Sequence, residues 1–285
     1  MHRYLRAVGF GGIQKREEFE ALSQFTSECF QTEETAVTEE GVDFSERRKE
    51  FADHMGLLVR GIYDENDEYQ IEYCVPYFSG STAHFYEDMS IERHAEKESY
   101  AGVCDDMNLG VSLIFYLQNV TEYLNKKRYG HMDSASASLI LSGLSVEGKI
   151  LMPVYQKTPV VSEIRSDQER RRMIQAAREG DEDAIENLTL EDMDTYSMIS
   201  KRIMEEDVFS IVTTHFMPCG VECDHYNIMG EILDVELREN NYTKEKIYAM
   251  TVETNGIVMD ICINQQDLVG EPMPGRRFRG IIWLQ

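Results

Sequence analysis

Apolar residues along this chain recur mostly at every second position, with a central stretch in which they recur at every third or fourth. Tyr4 to Phe10 reads as a short strand ended by Gly9-Phe10-Gly11-Gly12. Phe19, Leu22, Thr26 and Cys29 then form one stripe of a helix over Ile13 to Phe30. Thr32 to Asp43 is acidic and aperiodic and reads as a solvated loop. Leu57, Val59 and Ile62, then Tyr69, Ile71, Tyr73 and Val75, alternate about Asp64-Glu65-Asn66-Asp67, which predicts a hairpin over Met55 to Phe78. Further strands are expected near Phe85 to Met89, Ser99 to Cys104 and Leu109 to Leu117, and a short helix over Val120 to Lys127. Ala137 to Leu144 and Gly148 to Tyr155 read as a second hairpin.

The period then lengthens. Ser166-Asp167-Gln168-Glu169 is a capping box, Gly180-Asp181 ends that helix and opens another, and Thr189 caps a third carrying Met193, Tyr196, Ile199 and Ile203. Beyond it, alternation predicts strands over Val208–Met217, Tyr226–Leu237, Lys246–Thr254, Ile257–Asn264 and Arg277–Leu284. Asn255-Gly256 joins the third to the fourth, because both residues tolerate the positive φ of a type I′ turn. The expected fold is α+β: a β-rich N-terminal part with flanking helices, a helical segment, and a small, partly closed five-stranded barrel. The boundary is set at residue 160, giving parts 1–160 and 161–285. The barrel type stays open. An oligonucleotide/oligosaccharide-binding (OB) barrel wants a helix between its third and fourth strands, where this pattern has a two-residue turn.

Charge narrows the partners. The 285 residues carry a formal net charge of −24, which repels phosphate backbones and anionic lipid. Nucleic acid and membrane are therefore disfavoured. Met1-His2-Arg3-Tyr4-Leu5-Arg6 offers no signal-peptide core, and no apolar run approaches the roughly 18 residues of a membrane span. The six cysteines read as reduced thiols, and a cytoplasmic location is expected.

Three groups of residues have a chemistry to weigh. Gly9, Gly11 and Gly12, with Lys15 beside them, stand between a predicted strand and helix, where backbone amides can hold an anion. They fit neither G-x-G-x-x-G nor a P-loop, so a tight turn is favoured. His215, Cys219, Cys223 and His225 are metal-ligating types, but C-x₃-C with flanking histidines matches no common zinc site. Arg276, Arg277, Arg279 and Trp283 form a basic-aromatic cluster. Strand alternation puts Phe278 and Leu284 on one face and Arg277, Arg279 and Trp283 on the other, which favours a structural role over stacking on single strands. The sequence holds neither G-x-S-x-G nor H-E-x-x-H, and it names no catalytic residue.

Ala184 to Asp194, Tyr226 to Glu231 and Gly270 to Phe278 resemble an uncharacterised bacterial family known only as a domain of unknown function. Tyr4 to Phe10 fits it too, so the resemblance covers essentially the whole chain. It implies no activity, cofactor or catalytic residue. The expected function is a non-catalytic binding or regulatory one, without cofactor, directed at a protein or a small molecule. The rival is an enzyme with a site assembled from scattered residues, and a single-stranded nucleic-acid-binding barrel comes third.

Overall fold

Asn255 and Gly256 adopt φ of 49° and 82°, the left-handed pair a type I′ turn demands, and join β13 (Lys246–Thr254) to β14 (Ile257–Asn264) as predicted. In the computed structural model, the described residues are 3–86, 89–93, 99–106, 111–130, 137–153, 172–178, 180–189, 193 and 212–285. They fall into two compact units, Met1–Met152 with Thr214–Gln285, and Pro153–Thr213. The boundary expected at residue 160 lies inside the second unit.

The barrel is closed, and by a strand from an unexpected place. β12 (His225–Glu239) pairs with β13, β13 with β14, and β14 runs parallel to β10 (Ser142–Leu151). β10 pairs in turn with β16 (Arg277–Leu284), and β16 returns to β12. Of the strand expected first, over Val208–Met217, residues 208–211 lie outside the described residues; the described part forms β11 (His215–Pro218), which pairs with β12 outside this ring. Read from β12, the ring has the connectivity of an OB barrel whose fifth strand has moved to the front of the chain. The helix of that pattern has a counterpart in the 3-10 turn Gln265–Asp267, which with the two-residue β15 (Leu268–Val269) lies between β14 and β16.

β10 closes the ring because its inward positions are small. Ile257, Met259, Ile261 and Ile263 of β14 and Phe278, Ile282 and Leu284 of β16 fill the interior. A Cβ on Gly148 would come within 2.5 Å of the Phe278 ring. The outward residues Leu144 and Val146 instead join a second core with Ile247, Ala249, Cys262 and Trp283.

That second core is covered by the N-terminal layer. Tyr4 to Phe10 is not a strand: Arg3–Val8 is a 3-10 helix whose Tyr4, Leu5, Ala7 and Val8 are buried. α1 (Arg16–Glu28) follows and packs on an antiparallel sheet in the order β1-β2-β3-β4. β3 (Met55–Tyr63) and β4 (Tyr69–Phe78) are the predicted hairpin. β1 (Thr32–Val37) and β2 (Asp43–Ala52) replace most of the expected loop, because the acidic residues of β1 sit on an exposed sheet edge.

β5 (Ala83–Tyr86) pairs with β9 (Ala137–Ile140), and β10 runs unbroken through the turn expected between Leu144 and Gly148, so the hairpin of Ala137–Leu144 with Gly148–Tyr155 does not form. β6 (Ser90–Arg93), β7 (Tyr100–Asp106) and β8 (Val111–Tyr116) make a three-stranded sheet, followed by α2 (Val120–Arg128). In the second unit, residues 172–178 and 182–189 are helical. Gly180 has φ 91°, and Asp181 accepts the Asp183 and Ala184 amides at 3.0 and 3.2 Å, the expected break and cap. Thr189 bonds back to the Ile185 carbonyl inside the helix. The Ser166 capping box, and the third helix apart from Met193, lie outside the described residues. No helix among the described residues is long and apolar enough to cross a membrane.

Gly148→Ala tests the closing strand. With the Phe278 ring fixed in the barrel, the added methyl should cost about 1–3 kcal/mol in urea unfolding. A change under about 0.5 kcal/mol would mean that β10 does not face the barrel interior.

Candidate functional site

The glycine turn does hold an anion, and the anion is the protein's own. The amides of Gly11 and Gly12 donate to the two carboxylate oxygens of Glu245 at 3.0 and 3.1 Å, and Asn264 Nδ2 adds a third bond at 2.6 Å. The loop carrying Glu245 also grips Gly9, whose φ is 86° and whose carbonyl accepts Thr243 Oγ1 at 2.6 Å. Lys15 is the residue before α1, and its amide donates to Glu18. The turn is thus a structural latch between the N-terminus and the barrel.

Two other sequence candidates meet at one place. Asp224 accepts Trp283 Nε1 at 2.7 Å, and its other oxygen bonds His225 Nδ1 at 2.9 Å. Tyr4 packs against both rings, 5.3 Å from His225 and 5.6 Å from Trp283. Burial opposes the charge of Asp224, but the hydrogen bonds from His225 and Trp283 outweigh it and hold the carboxyl below its ordinary value. His215 lies apart, bonded to Asn227 at 3.0 Å. Cys219 is half-buried, with its thiol pushed up by desolvation, and Cys223 is exposed. Among the described residues no three His, Cys, Asp or Glu side chains are placed to hold a metal ion.

The arginines divide. Arg276 bonds the Glu271 carbonyl at 2.7 Å near the surface, whereas Arg277 is buried and donates to the Met152 carbonyl at 3.1 Å. Arg279 is half-buried on the same outward face. Trp283 is 3% exposed, so it presents no open ring face on which a base could stack.

Sequence reasoning missed the feature most like a ligand site. A cleft of ≈ 580 Å³ opens between the β6-β7-β8 sheet, the start of α2 and the β5–β9 ribbon. Met89, Ile91, Phe115 and Leu139 give it an apolar wall; Arg48, Gln118, Asn119, Glu122 and Lys126 give it a polar end. Its volume is within the range of small-molecule sites, roughly 300–1,000 Å³. The floor is held from behind by Arg60, which donates to the Tyr116 hydroxyl at 2.6 Å and to the Leu117 and Gln118 carbonyls at 3.0 Å each. A smaller cleft of ≈ 180 Å³ lies beside β12, β13 and β14. There the Asp260 carboxylate is already taken by Ser81 and Thr251.

Residues 5–285 match the family model described as "Domain of unknown function, E. rectale Gene description (DUF3881)". The chain belongs to the DUF3881 family. That family carries no described activity to set against the cleft, and its match runs through both the cleft and the latch. No curated protein and no solved structure matches the chain significantly. The cleft residues run from Arg48 to Gln285, and no spacing in the sequence marks them as a group.

Asp224 gives the DUF3881 chain a defined acid response. A carboxyl held below its unfolded value contributes stability that is fully present above about pH 4 and is lost as pH falls through its folded value. Asp224→Asn should therefore be less stable than wild type at pH 7 by about 1–3 kcal/mol. The gap should narrow from about pH 4 downward in urea unfolding. A gap that is constant down to about pH 2 would contradict the assignment.

Proposed function

We propose that this protein is a non-catalytic binding module that takes a small molecule in the cleft bounded by β6, β8, α2 and the β5–β9 ribbon. The observation that carries this reading is the division of one concave site into an apolar wall and a polar end, the usual make-up of a ligand pocket. Concavity favours a small molecule over a protein partner, which would want a flatter apolar patch.

Two titratable groups of the cleft fit binding rather than catalysis. Hydrogen bonds from Lys126 and Asn119 hold Glu122 below its ordinary value, and burial drives Tyr116 well above that of a free phenol. One is fixed as a carboxylate and the other as a neutral hydroxyl, whereas general acid–base chemistry wants a group that exchanges its proton near neutrality. The reading places the protein in the reducing cytoplasm. Its six cysteines are free thiols, and burial pushes that of Cys74 up to about 12.

Ser138 is exposed at the cleft wall, so Ser138→Trp should fill the site without disturbing the core. Amphipathic fragments that bind wild type in a ligand-observed NMR screen should bind this variant at least about tenfold more weakly, at an unchanged melting temperature. Fragments that bind both proteins equally would place the binding elsewhere and defeat the reading.

A further inference from the structure

The charges around the cleft are unequally paired. Arg48 and Lys126 line it, and Glu122 is the one acidic side chain among the described lining residues. Lys126 and Glu122 satisfy each other at 2.6 Å, with Asn119 bonded to the second carboxylate oxygen at 2.7 Å. Arg48 is less well matched. Its nearest carboxylate is Glu46, whose Oε2 lies 3.7 Å away; Glu122, already paired with Lys126, acts on it at longer range, and its guanidinium also lies 5.6 Å from the Tyr77 ring. Glu46 Oε1 is already engaged by the Thr121 amide at 3.0 Å and faces Arg60 at 3.4 Å. Glu46 therefore faces two guanidinium groups, and Arg48 meets the cleft without a hydrogen-bonded carboxylate of its own.

Arg48 also has donors to spare. Among the described residues only its Nη2 is hydrogen-bonded, to the Gln118 carbonyl at 2.7 Å. Nε is buried behind the wall, but the side chain as a whole keeps 22% of its surface exposed. In a chain of net charge −24 the overall field disfavours anions, so an anion needs a local cation in a partly desolvated setting. A guanidinium fork suits an acid group in both charge and shape.

We propose that the cleft selects an amphipathic organic anion, with its acid group against Arg48 and its apolar body along Met89, Ile91, Phe115 and Leu139. The proposal deepens the ligand-binding reading above and rests on it. A neutral molecule of the same shape gains the apolar wall but not the charge, and a cationic one is repelled by Arg48.

Octanoate and 1-octanol share the chain and differ in the head, so the two are titrated calorimetrically into wild type, Arg48→Gln, Arg48→Lys and Ser138→Trp. Octanoate should bind wild type at least about tenfold more tightly than octanol. Arg48→Gln should bring the two within about threefold, Arg48→Lys should keep most of the preference, and Ser138→Trp should weaken both. Equal affinities in wild type would overturn the anion assignment; if Ser138→Trp then abolishes both, the ligand cleft itself stands. A preference that survives in folded Arg48→Gln would also overturn it. If neither compound binds while screened fragments do, the anion proposal fails alone. The wild-type comparison decides the matter even where Arg48→Gln does not fold.

Discussion

Placing a guanidinium inside the protein is the constraint on which the N-terminal layer and the cleft both depend. Arg60 on β3 and Glu46 on β2 are fully buried, and removing both from water carries a penalty that their attraction alone does not recover. The remaining donors must therefore be satisfied, and all are except Nε, which is buried without a hydrogen-bond partner among the described residues. Nη1 bonds the hydroxyls of Tyr73 and Tyr116, and Nη2 bonds the carbonyls of Leu117 and Gln118. Burial opposes the charge of Arg60, but Glu46 and the two phenols raise its pKa above the ordinary value, so it stays ionised. Glu46 meanwhile accepts the Thr121 amide in the first turn of α2, where a carboxylate also meets the positive helix end. One buried pair thus links the sheet, the end of β8 and the start of α2. The gain is a fixed geometry more than net stability, and Glu46, held by Arg60, leaves Arg48 loosely paired at the cleft.

Where one face was buried and a turn had the right chemistry, the sequence was readable. The β3–β4 and β13–β14 hairpins and the edges of β16 lie where alternation put them. β10 was misread because it is turned inside out: Gly143, Ser145 and Gly148 lie on its barrel side against bulky neighbours, while Leu144 and Val146 point outward into a second core. Its partners β14 and β16 lie more than a hundred residues away, so no local pattern announces the ring. Tyr4 to Phe10 looked like a strand because every residue of it but Arg6 is buried, and so short an apolar run does not reveal its period.

The candidate sites were legible in kind but not in place. Glycine amides near Lys15 do meet an anion, yet that anion is Glu245, which no local reading could supply. The Cys-His turn and Trp283 were separate candidates, and the fold joins them through Asp224. OB barrels take ligands on the outer face of their second and third strands. Here those strands are β13 and β14, and Ile247, Ala249 and Cys262 on that face are sealed under the N-terminal layer. That face keeps only the smaller cleft by Thr251 and Asp260, so a barrel resemblance alone carries no function, and the larger cleft lies elsewhere.

Amide hydrogen exchange at Thr121 tests most directly whether the buried pair organises this region. An amide in the first helical turn has no intrahelical acceptor and ordinarily exchanges fast. Donated to a buried Glu46, the Thr121 amide should instead exchange only with global unfolding, as slowly as the amides of β3. Exchange at the rate of an exposed helix end would show that Glu46 does not reach α2, and the account of the cleft floor would fail with it.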